Sequence, residues 1–443
     1  MIWIVLSIVI AIVAGIAIVL ALDPHARGPR LLALSFPLGL GGCALCLGAL
    51  SALGVAWSRG AALAAVALLV IAAGAVALAR RRRNQPGPLL VAPRSIPGWI
   101  SGAVAGVMVI GHGIWATLAP LGEWDFWSLW GLKAKVFYAL GGIDWSWLER
   151  PANAFAHPDY PILLPLAYDF AAVIAGSWVD GELGLLFTAF AASALLFTAS
   201  HLREAGGSSF LAAGGAVLLA GPVLTLPIGL ADLPLLVFGG IALLELRSAA
   251  IDGREGRIPV AAAALVLAVL TKNEGVSLAV AVTLAIILAG GTRRWKLLVA
   301  AVPAAVAALL WVAVRRARGL GTDLFEGEPL ARLAAASPGR LLSTLAGNLP
   351  DHPFFWLALL IAILAAGSRR LSRERWLLLA VVLQLAFFIG AYLITPRDLE
   401  WHVATSWPRL LGQLLLPLGF LAVLFAGEVA GAATRRPPFD DRA

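Results

Sequence analysis

Residues 2–21 read IWIVLSIVIAIVAGIAIVLA, twenty positions with no charge and one hydroxyl. A helix of that length matches the hydrocarbon core of a bilayer, roughly 30 Å thick. No basic stretch precedes the run and no clear cleavage signal follows it, so it reads as a first membrane span rather than a removed signal peptide. Similar runs recur along the chain, at about 32–56, 60–79, 99–118, 161–176, 182–199, 209–229, 233–249, 258–271, 275–290, 297–314, 353–367, 376–395 and 410–427. Composition agrees: 60% of the 443 residues are hydrophobic and 13% charged, far outside the soluble globular range. The runs are long and rich in Leu, Ala, Val and Gly, not the short alternating strands of a barrel. An all-α integral membrane protein, a bundle of twelve to fourteen spans, is the expected fold.

The formal charge of +8, from 33 Lys and Arg against 25 Asp and Glu, fits basic loops facing the cytoplasm better than a nucleic-acid partner, and none is expected. Clusters at Arg80–Arg83, Arg254/Arg257, Arg293/Arg294/Lys296, Arg369/Arg370/Arg373/Arg375 and Arg435/Arg436 then mark the cytoplasmic side. The loops at 119–160, 271–275, 315–352 and 396–408 fall outside. Parity fails in one place: four crossings between 160 and 250 would return the chain to the outside, whereas Arg254 and Arg257 require the inside. Segment 161–176, only 16 residues with Pro161 and Pro165 in its first turns, is the one least suited to cross. Cys43 and Cys46 sit in an apolar helix and read as packing, not as a metal or redox pair.

The richest polar constellation is in the first outer loop, Glu123-Trp124-Asp125-Phe126-Trp127-Ser128-Leu129-Trp130-Gly131-Leu132-Lys133-Ala134-Lys135, followed by His157-Pro158-Asp159-Tyr160-Pro161. Phe126, Leu129, Trp130, Val136, Phe137 and Leu140 recur at three- and four-residue spacing and form an apolar helix face. That segment is expected at the interface, with Lys133 and Lys135 carrying their charges toward headgroups or a site. Glu123 and Asp125 either share an interfacial cavity, where a carboxylate deprotonates a hydroxyl, or begin a surface helix whose dipole they complement. His157 is open between a metal or acceptor group and an ordinary loop histidine. Asp159, held between two prolines, is open between a site carboxylate and an Asx turn.

Further charges stand at span ends. Asp232, in Gly229-Leu230-Ala231-Asp232-Leu233-Pro234, faces an internal cavity or caps a helix. Thr271-Lys272-Asn273-Glu274-Gly275 is either a compensated hairpin or a broken helix lending Lys272 or Glu274 to a site. Arg397, His402 and Arg409 lie in the last outer loop, where cytoplasmic bias cannot explain the arginines. Phosphate binding can explain them, and so can snorkelling. The chain has no phosphate loop, no convincing dinucleotide fingerprint and no H-E-x-x-H metal motif.

Taken in order, E-W-D at 123–125, W-x-x-W-G-L-K-A-K at 127–135, H-P-D-Y-P at 157–161, A-D-L-P at 231–234, T-K-N-E-G at 271–275 and Arg409 ahead of a Leu- and Pro-containing span resemble the GT-C superfamily of polytopic glycosyltransferases. The resemblance runs from about Val104 to Gly427. It implies an inverting hexosyl- or pentosyltransferase that moves a sugar from a polyprenyl-phosphate donor to a lipid, glycan or protein acceptor. The setting it implies is the extracytoplasmic side of a cytoplasmic (inner) membrane, among membrane lipids. Carried onto this chain, it makes Asp125 the leading base, Glu123 its acidic companion and Asp159 a second acidic element, with Lys272 and Arg409 as phosphate-site candidates. Lys133, Lys135, His157, Asp232, Glu274, Arg397 and His402 are further substrate-binding candidates. A divalent cation bridging Glu123, Asp125 and Asp159 to phosphate is left open. The implied organisation is N-terminal helices and a basic loop at 1–98, a catalytic module at 99–427 and a cytoplasmic tail at 428–443. Three spans before 99–118 depart from the simpler pattern in which the catalytic loop follows the first span. A transporter or lipid flippase is the competing reading, because intramembrane charges and Pro- or Gly-broken helices also line translocation pathways.

Overall fold

The computed structural model describes residues 1–81, 96–119, 121–321, 328–348 and 352–434. Arg82, Arg83, Asp323, Glu326, Asp351, Arg435, Arg436 and most of the expected tail lie outside the described residues. Helices α1 (Ile2–Leu22), α2 (Gly28–Ala52), α3 (Arg59–Arg81) and α4 (Ile96–Leu118) precede the first long loop, which holds α5 (Gly131–Leu140) and α6 (Trp145–Leu148). Next come α7 (Leu163–Ala175), α8 (Asp180–Glu204), α9 (Ser209–Leu224), α10 (Asp232–Ile251), α11 (Ile258–Thr271), α12 (Asn273–Ala289), α13 (Arg294–Leu298) and α14 (Ala301–Ala317). The chain continues through α15 (Pro329–Ala335), α16 (Pro338–Gly347), α17 (Pro353–Arg373), α18 (Arg375–Leu393), α19 (Leu399–Gly412) and α20 (Leu415–Thr434).

This is a polytopic α-helical membrane protein. Among the described residues, eight helices (α1, α2, α3, α4, α8, α10, α17 and α18) are long and apolar enough to cross a bilayer. The bent pairs α13–α14, at 42°, and α19–α20, at 52°, raise the number to ten if each is one span. By length and composition alone the count therefore falls below the twelve to fourteen expected. Helices α9, α11 and α12 have 16, 14 and 17 residues, short of the roughly 20 that a lipid-facing span needs. Hydropathy alone does not separate a helix buried in protein from one facing lipid.

The two ends of the bundle differ chemically. At one end the four loops expected on a common side meet: Arg318 bonds Glu149 at 2.9 Å, Arg340 clasps Glu400, and Asn273 reaches Asp159 at 3.0 Å. At the opposite end the basic clusters gather, with Arg257 on Glu204, Arg247 on Glu374 and Asp252, and Arg370 on Glu428. Arg30 there is buried between Asp23 and Glu245, both at 2.7 Å. Each of these buried charges has its counter-charge, as a low-dielectric interior requires.

Helix α7 resolves the parity conflict. Lys133 and Lys135 of α5 reach the chain on either side of it: Lys133 Nζ donates to the His157 carbonyl at 2.6 Å, and Lys135 Nζ to Asp180 at 3.0 Å. Both ends of α7 thus lie at the loop end, and its 13 residues pack under α5 and against α1 and α2 without crossing. Three passages, α8 to α10, then bring Arg254 and Arg257 to the basic end.

Helices α1 and α2 touch backbone to backbone through Gly15 and Gly39. A β-carbon at Gly39 would stand 1.7 Å from the Ala11 carbonyl oxygen, and one at Gly15 1.7 Å from that of Ser35. Small residues permit this approach, the usual device for packing helices in lipid. Gly39→Val is expected to force the pair apart and cost at least about 1–3 kcal/mol, read as a lowered thermal midpoint in detergent. An unchanged midpoint would rule out so close a crossing.

Candidate functional site

Asp125 closes the turn that leads from α4 into the loop, immediately before one turn of π-helix at Phe126–Trp130. Such turns are rare and often mark functional positions. Phe126 and Trp130 are buried, which fixes the turn against the bundle, whereas Trp124 and Trp127 on either side of Asp125 are exposed. The Asp125 side chain is 30% exposed and pairs with Arg409 Nη2 at 2.8 Å.

Arg409 lies near the end of α19, and the same Nη2 also meets Asp232 Oδ2 at 2.8 Å, with Nε at 2.9 Å. Asp232 is the first residue of α10 and has no solvent exposure. Its second oxygen accepts from Gln413 Nε2 at 2.7 Å and from Lys272 Nζ at 3.2 Å. Lys272 pairs in turn with Glu274 Oε1 at 2.8 Å. One chain of alternating charge therefore runs from the exposed carboxylate of Asp125 through Arg409, Asp232 and Lys272 to Glu274, inside the bundle.

Lys272 is positioned by a break. Its backbone is extended, at φ −159° and ψ 156°, between α11 and α12, so the chain reverses direction. The reversal presses Gly275 onto the Ala268 carbonyl, 2.0 Å from where a β-carbon would be. The segment thus has the reversal and the mutual compensation of a hairpin, Lys272 against Glu274, and it also brings Lys272 to Asp232. Glu274 Oε2 and Gln413 Oε1 are buried without a hydrogen-bond partner, and both residues line a cavity of about 10 Å³ between α10, α12 and α18. That is about the smallest volume that holds a water.

The second acidic element is adjacent but separate. Asp159 is 2% exposed; its Oδ2 accepts from Asn273 Nδ2 at 3.0 Å, with Arg315 Nη1 at 3.9 Å, and its carbonyl accepts from Trp311 Nε1 at 2.9 Å. Asn273 follows Lys272 directly, so the two nodes share one backbone segment. His157 adopts a left-handed conformation at φ 47°, stacks on Tyr160 and stands 3.7 Å from Asp159.

Several candidates are placed elsewhere. The Glu123 side chain is exposed and without a partner among the described residues, while its carbonyl accepts from Phe126 and Trp127. Arg397 is exposed in the turn before α19, where its N–H donates to Thr395. His402 joins Thr395 Oγ1 at 2.8 Å and packs on Tyr392. Lys135 serves Asp180 on the flank. Glu123, Asp125 and Asp159 do not converge, and among the described residues no three His, Cys, Asp or Glu side chains form a metal-binding group.

Lys133 overturns an expectation. It is wholly buried, holding the His157 carbonyl beneath the Trp130 and Tyr160 rings, and does not extend toward headgroups. Burial pushes its ammonium down from the ordinary 10.5 to about 7, against the raising effect of Asp159. Between those values the unfolded chain holds a proton that the folded chain has released, so stability rises with pH across that window. The limit is about 1.4 kcal/mol per pH unit for one proton. Thermal midpoints taken between about pH 7 and 10 are expected to climb more steeply for the wild type than for Lys133→Met; parallel curves would leave Lys133 charged throughout.

Gln413, Asn273, Trp311 and Arg315 escaped assignment from the sequence. For Gln413 the signal was present, one helical turn after Arg409. For Trp311 and Arg315, Asp159 is over 150 positions away, and nothing local marks the pairing. No known protein family, curated protein or solved structure matches the chain, so the reading of this site rests on its own chemistry.

Proposed function

We propose that this chain is an inverting, GT-C-like glycosyltransferase that passes a sugar from a polyprenyl-phosphate donor to the hydroxyl of a lipid, glycan or protein acceptor. The observation that carries the reading is Asp125: a partly exposed carboxylate just beyond the end of α4 whose partner, Arg409, is backed by buried Asp232 and Lys272. That arrangement offers a base and two cations within one connected group, as a transfer that releases a lipid phosphate needs.

In the proposed reaction Asp125 takes the acceptor hydroxyl proton as the acceptor oxygen bonds to the anomeric carbon from the face opposite the phosphate. The bond from that carbon to the phosphate oxygen breaks, and its electron pair leaves with the polyprenyl phosphate. Arg409 meets the growing negative charge. An arriving phosphate competes with Asp125 for the guanidinium and frees the carboxylate for the acceptor, while Asp232 keeps Arg409 in place from behind. Aligning donor and acceptor supplies the rest of the rate.

The gathering of arginines at the end opposite Asp125 supports an extracytoplasmic site in a cytoplasmic membrane. Purified protein incubated with a panel of polyprenyl-phosphate sugars and candidate acceptors is expected to yield a glycosylated product by mass spectrometry. A competing transport function has one specific support, the helix break that places buried Lys272 beside half-buried Glu274 within the bundle. Flux across sealed vesicles without covalent product would favour it and defeat the enzyme reading.

A further inference from the structure

At the basic end, remote from Asp125, a cavity of about 430 Å³ opens between the ends of α10 and α12 and the hairpin of α17 and α18. Its walls carry Arg369, Ser372, Arg373 and Arg375, with buried Trp376 beside them. Gly367, at φ 71° and ψ 160°, kinks α17 just before these residues. That conformation is essentially confined to glycine, so the last turns of α17 are set at an angle to the rest of the helix.

Neighbouring carboxylates are already taken: Glu374 by Arg247 at 2.7 Å and Arg373 at 3.5 Å, Asp252 by Arg247 at 2.8 Å, and Glu428 by Arg370 at 3.1 Å and Arg373 at 3.4 Å, which leaves Arg369 and Arg375 without a carboxylate. Helix carbonyls at the floor, which would repel an anion, are covered: Arg375 Nε donates to Ala289 and Arg293 Nη1 to Ala249, both at 3.3 Å. Arg369 makes no ion pair or hydrogen bond among the described residues, and it is exposed. The site offers cationic donors and lacks a free counter-charge.

We propose that this cavity binds the phosphate of an anionic membrane phospholipid. A lipid source is favoured because α17 presents Leu357, Leu360, Ile361 and Leu364 outward, over 50% exposed each, and that apolar face ends one to two turns before Arg369. Acyl chains along α17 bring the headgroup to the kink, where guanidinium forks suit phosphate oxygens. The volume is in the range of small-ligand sites. The assignment is independent of any reaction at Asp125.

The test uses full-length protein in detergent, offered dioleoyl phosphatidylglycerol, dioleoyl phosphatidylcholine or inorganic phosphate, with bound molecules counted by native mass spectrometry. Phosphatidylglycerol should be retained about tenfold or more over phosphatidylcholine, from the surface attraction of two arginines, and excess inorganic phosphate should not displace it. Arg369→Gln with Arg375→Gln should remove the preference, and Arg340→Gln at the other end should leave it. Equal retention of both lipids, a preference untouched by the double variant, or displacement by inorganic phosphate would overturn the proposal, the last by marking a site for a free anion. Should loss of the Arg375 contact to Ala289 impair folding, Arg369→Gln alone decides, because that side chain has no protein partner to lose.

Discussion

Asp125→Asn is expected to lower glycosyl transfer about 10²- to 10⁴-fold, the usual contribution of a positioned general base, with the thermal midpoint nearly unchanged. The amide keeps the volume of the carboxyl group and one oxygen for Arg409 Nη2, now 2.8 Å away. Arg409 also keeps Asp232, so no cation is left buried without a counter-charge. Because the Asp125 side chain is 30% exposed, losing its charge costs the fold little. The substitution removes the proton acceptor and little else. Donor binding, measured separately, is expected to persist or tighten, since Asp125 no longer competes with phosphate for Arg409. Turnover close to the wild type would take Asp125 out of the base role; a large fall in midpoint would show instead that the pair is structural.

Asp232→Ala is expected to act in the opposite way, destabilising the protein by about 3–5 kcal/mol, as when one partner of a buried ion pair is removed. Asp232 has no exposure and accepts from Arg409, Gln413 and Lys272. Its loss leaves a guanidinium and an ammonium in the bundle with only Asp125 and Glu274 as counter-charges, and an amide donor unpaired. Unfolding followed by tryptophan fluorescence in detergent should show a strongly lowered midpoint. Arg340→Ala, which breaks the exposed pair with Glu400, should leave the midpoint where it was. Equal midpoints for the two variants would mean that the charge chain is not assembled around Asp232.

Depth in the bundle separates these outcomes. Asp125 is at the accessible end of the chain of charges and Asp232 in its interior, so loss of the carboxylate charge is tolerated structurally at one and not at the other. Arg409 touches both, and substituting it alone would confound activity with stability.

Much of the architecture was legible in the chain. Long uncharged runs such as 2–21 dictate helices, because a backbone in hydrocarbon must satisfy its own N–H and C=O groups. Basic clusters at Arg254/Arg257 and Arg369–Arg375 were placed on one side and the loops at 119–160, 271–275, 315–352 and 396–408 on the other, and the structure groups them so. The weakness of 161–176 as a span was also visible in its length and prolines. The span number turns on α9, α11 and α12, which are as apolar as the longer helices but have only 16, 14 and 17 residues.

Hydropathy and charge placement along the chain were enough to establish a polytopic helical bundle, which residues stand at helix ends, and which charges occur where lipid would penalise them. These are local properties, set by hydropathy and by the cost of exposing polar groups to an apolar medium. The pairing of those charges came from packing. Arg409 finds Asp232 across 177 positions, Lys133 is buried rather than snorkelling, and Glu123 stands apart while Asp125 joins the charges inside. A charge is neutralised by whichever group packing brings within a few ångströms, and spacing along the chain carries no record of that distance.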